Sequence, residues 1–190
     1  MMRQALLIIL TMALAPLSAW AQPNITSGVR FDTTAMAQET PLALRGVDTL
    51  IYLGFIKAYA GAFYLPVNTP SPMALSDTPK RLVLEYFRSI KAEDFAEATM
   101  AKAKENTTPE AFNRITDALI RLCRSYRDVS PKDRYALVYH PEHGLDLRLN
   151  GVTLGTFKGR ELSRAMFAIW LGEYPISESF RDRLLGVDRP

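Results

Sequence analysis

Apolar positions along the chain change period several times, and each change marks an element. Residues 22–40 hold few large apolar side chains, and their one alternating run, Val29-Arg30-Phe31, reads as an arm or first strand. Leu42-Ala43-Leu44 alternates ahead of Gly46. Thr49 to Leu65 is then almost continuously apolar and aromatic, and Pro66 ends it. Its length approaches a membrane span, but Lys57 sits mid-run among frequent aromatic and β-branched residues. The run therefore predicts one long strand, or two, buried on both faces. Gly54 and Gly61 mark a bulge or a close backbone approach.

Residues 66–80 form a Pro/Ser/Thr/Asn loop with room for one helical turn, and 82–87 form another strand. Residues 91–105, rich in Ala, Glu and Lys, predict a helix. A second helix starts with Thr108 as N-cap and Pro109 at its first position. It sets Phe112, Ile115, Leu119, Leu122, Cys123 and Tyr126 on one face. Tyr135–Tyr139 reads as a strand. The alternating Leu145, Leu147 and Leu149 meet Val152–Phe157 through the hairpin dipeptide Asn150-Gly151. Residues 160–171 and a short segment with Phe180, Leu184 and Leu185 are helical, with Gly186 as the stop. Strands, two helices, hairpin strands and helices make an α+β fold: an antiparallel sheet with helices segregated to one side.

The N-terminus is an address. Arg3 precedes the apolar stretch Ala5–Leu14, Pro16 breaks it, and Ala19-Trp20-Ala21 offers a small-residue cleavage site. The pattern predicts a signal peptide over residues 1–21, cleaved after Ala21. A single domain over 22–190, located in the periplasm or secreted, with no integral membrane segment after cleavage, follows from it. Composition adds exclusions. A formal net charge of +3 over 190 residues does not fit a polycationic nucleic-acid binder. One cysteine, Cys123, rules out an internal disulfide framework and a Cys-rich zinc site. His140 and His143 fall with Pro141 and Gly144 in a turn, which reads as a solvated loop rather than a metal site. Neither a metal nor a cofactor is expected.

The candidate chemistry lies on the aromatic strand. In uninterrupted alternation Val47, Thr49, Ile51, Leu53, Phe55, Lys57 and Tyr59 share one face. Such a face suits an ordinary core from which Lys57 snorkels to solvent. That is the reading these residues alone favour; the face also suits an amphipathic ligand such as a fatty acid, whose carboxylate meets the ammonium and the phenol.

Three strings then add a family. Lys57-Ala-Tyr-Ala-Gly-Ala-Phe-Tyr-Leu65 resembles the K-x-Y-A-x-x-L-Y strand of the chalcone isomerase-like family. Asn150-Gly-Val-Thr-Leu-Gly-Thr-Phe157 is similar to its glycine-bracketed hairpin, and Trp170-Leu-Gly172, Pro175 and Leu184-Leu-Gly186 to its C-terminal signature. The resemblance covers roughly residues 28–187 and looks like the exported bacterial branch. It implies an open-faced β-sandwich with a ligand cleft between a large antiparallel sheet and a helical layer. Plant members of the family close a flavanone ring by intramolecular oxa-Michael addition, and non-catalytic members bind fatty acids in the same cleft. The catalytic arginine of the enzymes falls on Val47 or Asp48, with Arg45 nearby; their threonine falls on Tyr59, and their Tyr…Asn pair on Phe95 and Lys102. A hydroxyl position survives at or near Ser163. The resemblance therefore implies a non-catalytic binder of a small lipophilic ligand, with Tyr59, Lys57, Ser163, Arg45 and Phe95 as its ligand-binding residues and no catalytic set. The alternatives are a structural or partner-binding protein with a closed cleft, its protein partner unidentified, and an isomerase.

Overall fold

The computed structural model describes residues 24–187. The expected signal peptide lies outside them. A seven-stranded antiparallel sheet runs in chain order through β3 (Thr34–Ala37), β4 (Thr40–Tyr52), β5 (Ile56–Leu65), β6 (Lys80–Tyr86), β7 (Arg134–His140), β8 (Gly144–Leu149) and β9 (Val152–Phe157). Ahead of it, β1 (Ile25–Thr26) and β2 (Val29–Arg30) form a separate hairpin. The region read as an arm is thus three short strands. The sheet curls until β3 approaches β6 and β7. Four helices complete the α+β architecture: α1 (Ala92–Glu105), α2 (Pro109–Cys123), α3 (Arg160–Leu171) and α4 (Glu178–Leu184). No helix among the described residues is long and apolar enough to cross a membrane.

Two apolar layers flank the sheet, which is why β5 reads as a continuous apolar run. Tyr59, Phe63 and Leu65 face the helices together with Leu82, Leu84, Leu137 and Leu147. Ala60, Ala62 and Tyr64 face the other way, onto Val29, Phe31, Leu42, Val83 and Val138. Thr108 caps α2 as its sequence predicts, its hydroxyl accepting from the Ala111 N–H at 3.3 Å. Two glycines let α4 lie against the sheet. A Cβ on Gly46 would stand 1.9 Å from the Arg183 carbonyl oxygen, and one on Gly61 would stand 2.5 Å from the Phe180 ring.

The long aromatic run is two strands, not one. Leu53 (φ +51°) and Gly54 (φ +77°) reverse the chain between β4 and β5. Gly54 is therefore a turn residue, and Val47 to Tyr59 do not share a face. A bulge separates the pairs Leu50–Tyr59 and Ile51–Lys57, leaving Ala58 as the extra residue.

Candidate functional site

Between the helix-facing side of the sheet and α1 lies a cavity of about 620 Å³, within the size range of small-molecule sites. Its floor is built by alternation in the strands: Leu82, Leu84 and Tyr86 from β6, Tyr135 and Leu137 from β7, and Leu147 from β8. Phe95, Ala98 and Thr99 supply the α1 wall, one helical turn apart, and Ile169 and Trp170 close the end from α3. The mouth carries exposed Tyr52, Arg88, Ser89 and Asp94, with Lys102 farther along α1. The cavity thus leads from a polar rim to a buried apolar floor.

Its wall is an aromatic cage. Tyr86 packs edge-on against Tyr59, Phe95 and Tyr135, with ring centroids 5.3–6.1 Å apart. Phe95 also meets Tyr126 and Tyr135, each at 5.4 Å. Three of the four phenols in this cage have hydrogen bonds. Tyr59 Oη accepts from the Trp170 indole N–H at 2.8 Å, and Tyr126 Oη shares a proton with Thr99 Oγ1 at 2.9 Å. Tyr135 Oη accepts from the Arg127 N–H and donates to the Arg127 carbonyl. The Tyr86 hydroxyl has no hydrogen-bond partner among the described residues, although its residue is almost wholly buried. Burial pushes its ionisation well above that of an ordinary phenol, and the neighbouring Tyr59, Tyr126 and Tyr135 push the same way. Burial likewise raises Tyr59, against a smaller opposing effect of the indole hydrogen bond. At neutral pH all these phenols keep their protons. The cage therefore presents hydrogen-bond donors in an apolar setting, which suits the polar end of a lipophilic ligand.

The structure brings together only some of the residues picked from the sequence. Tyr59 and Phe95 line the cavity, and Lys102 lies at its rim, paired with Glu105 at 2.6 Å. Lys57 does not join Tyr59. The bulge turns Ala58 and Tyr59 both towards the cavity, and Lys57 is exposed outside it. Arg45 is likewise absent from the lining: its Nη2 donates to the carbonyls of Pro66, Val67 and Thr69, tying down the loop after β5. Ser163 is buried on α3 with an unpartnered hydroxyl, outside the cavity lining. Val47 packs on the layer opposite the helices, and Asp48 faces Arg183 at 3.9 Å; neither lines the cavity. His143 sits in the expected turn, with Nε2 3.0 Å from Asp146.

Sequence reasoning passed over Tyr86, Tyr126, Tyr135 and Trp170. The signal for two of them was present: alternation places Tyr86 with Leu82 and Leu84, and Tyr135 with Leu137.

A family model described as chalcone isomerase-like matches residues 24–186. No curated protein matches. Among solved structures, the Arabidopsis thaliana fatty-acid binding protein AtFAP1 superposes with a TM-score of 0.64 at 17% identity. The match covers 84% of this chain and 92% of that one, and it establishes a shared fold.

Proposed function

We propose that this chain, which belongs to the chalcone isomerase-like family, is a non-catalytic binding protein for a small lipophilic molecule, a fatty acid being the best fit. The observation that carries the reading is the 620 Å³ cavity with its aromatic cage and its one unpartnered phenol. An acyl chain lies on Leu82, Leu84, Leu137 and Leu147, and a carboxylate accepts from Tyr86 and from the free proton of Tyr59. That the similar fold of AtFAP1 belongs to a fatty-acid binding protein supports the same ligand class here. An isomerase needs a fixed cation to stabilise developing oxyanion charge. Val47, Asp48 and Arg45, where the resemblance would seek it, all lie outside the cavity. The N-terminal segment supports a periplasmic site of action after cleavage at Ala21.

The test is native purification followed by solvent extraction and mass spectrometry, with titration of the delipidated protein by fatty acids. A bound lipophile in stoichiometric amount is expected, and Ala98→Phe, which plugs the exposed α1 side of the mouth, should abolish it without unfolding the protein. An empty extract with no thermal shift from fatty acids would overturn the proposal.

A further inference from the structure

The β4–β5 hairpin continues beyond the sheet that supports it. The last pair joining β5 to β6 is Tyr59–Tyr86, so residues 51–57 project with no strand beside them on that side. Their side chains are not those of a solvated loop. Tyr52, Leu53 and Phe55 are 60%, 66% and 78% exposed, and Ile51 is also exposed.

The turn itself is unfavourable for its residues. Leu53 and Gly54 have φ of +51° and +77°; Asn150 and Gly151, in the β8–β9 hairpin, have +50° and +84°. The chain thus makes a closely similar left-handed pair twice. At 150 it uses the asparagine such a turn favours; at 53 it uses a bulky leucine, for which positive φ is an outlier. Nothing among the described residues covers that leucine, so its presence serves neither the turn nor the core.

The tip adjoins the cavity. Tyr52 and Ile56, flanking the turn, both line the mouth. Cationic Lys57 stands on the hairpin and Arg88 on the rim; Arg88 makes no ion pair among the described residues. Asp94 is the rim's acid, and it caps the Lys91 N–H. Exposed aliphatic and aromatic side chains bordered by a tyrosine and basic residues match what settles at a membrane–water interface. The tip offers roughly 400 Å² of apolar surface, about half of what each partner in a stable protein interface buries.

We infer that the Ile51–Ile56 hairpin tip is a membrane-docking element that seats the cavity mouth on an anionic lipid surface, from which the ligand enters. Ligand entry rests on the binding function proposed above; the docking does not.

The probe is co-sedimentation with vesicles of equal parts phosphatidylcholine and phosphatidylglycerol, using protein from Gln22 onward. That chain retains every element described and the whole matched segment. The double variant Leu53→Asn/Phe55→Ser should lose vesicle affinity by about tenfold or more. It should also melt no lower than wild type, because asparagine suits the turn. Fatty-acid titration without vesicles should be unchanged, since neither side chain lines the cavity. Wild type that ignores these vesicles, or a double variant that binds them equally, overturns docking. A concentration-dependent dimer abolished by the double variant, without vesicle binding, would assign the tip to a second copy and also overturn it. Vesicle binding by a protein that takes up no fatty acid would uphold docking and remove the ligand reading instead.

Discussion

Replacing Tyr86 by phenylalanine separates the work of the fold from the work of the site. The side chain is 3% exposed and its ring packs against Tyr59, Phe95 and Tyr135. Phenylalanine keeps the ring and those contacts and removes one oxygen. That oxygen has no hydrogen-bond partner among the described residues. It opens on the cavity, where water can partner it in the ligand-free protein, so its removal takes little from the fold. Tyr86→Phe should therefore leave the ligand-free protein as stable as wild type or more stable, by up to about 1 kcal/mol. Binding should move in the opposite direction. A hydrogen bond to a charged carboxylate contributes about 1.5–3 kcal/mol, so losing it should weaken fatty-acid affinity roughly 30-fold. Urea unfolding of delipidated protein and displacement of a fluorescent fatty acid give the two numbers. A variant destabilised by more than about 1 kcal/mol would mean that the hydroxyl has a structural partner. A variant of unchanged affinity would mean that the ligand's polar end lies elsewhere. Either result refutes the assignment of Tyr86.

Two further outcomes test the frame around the cavity. Gly46→Ala places a Cβ 1.9 Å from the Arg183 carbonyl, against backbone that cannot swing aside, and should cost at least about 3 kcal/mol in urea unfolding; a loss under about 1 kcal/mol would place α4 away from β4. Lys80 is buried, with Nζ over the Tyr139 and Phe167 rings, and burial lowers its pKa to about 8 against the opposing pull of Asp77. Between about pH 8 and 10 the unfolded lysine holds a proton that the folded one has released, so this residue's contribution to stability rises with pH, by about 2 kcal/mol across the window. Wild type minus Lys80→Met, measured at both pH values, isolates that rise, because the buried phenols titrate alike in both proteins. A flat difference would show that Lys80 keeps its proton on folding.

The parts of the fold legible in the sequence are those set by local chemistry. Thr108-Pro109 starts a helix because the hydroxyl caps it and proline needs no donor there. Asn150-Gly151 turns a hairpin because both residues tolerate positive φ. Alternation in Leu145, Leu147 and Leu149 fixed a strand and its inward face. The site was less legible because its geometry is non-local. One extra residue at Ala58 parted Lys57 from Tyr59, and a bulge in an apolar run leaves no mark in composition. Arg45 looked like a free cation until the loop carbonyls of residues 66–69 folded over it. The cage assembles from β5, β6, β7, α1 and the segment after α2, so no single stretch of chain announces it.

The sequence leaves the turn at Leu53-Gly54 between one strand and two, for a reason that bears on function. A leucine there extends the apolar pattern, so that Thr49 to Leu65 reads as one strand as readily as two. With asparagine the same backbone would have been read as a hairpin at once. Ser27, Gln38, Lys132 and Asn150 also take positive φ, but they are polar; Leu53 is the one apolar residue that does so among the described residues, and such disagreement is expected where a residue serves something outside the folding of its own segment. The side chain that masks the turn in the sequence is also left uncovered, next to Tyr52, which lines the cavity mouth. A sequence optimised only for stability would place asparagine at 53 and a polar residue at 55. Leucine and phenylalanine forgo that stability beside the cavity, and contact with the lipid surface proposed above would give those two side chains a use the fold does not.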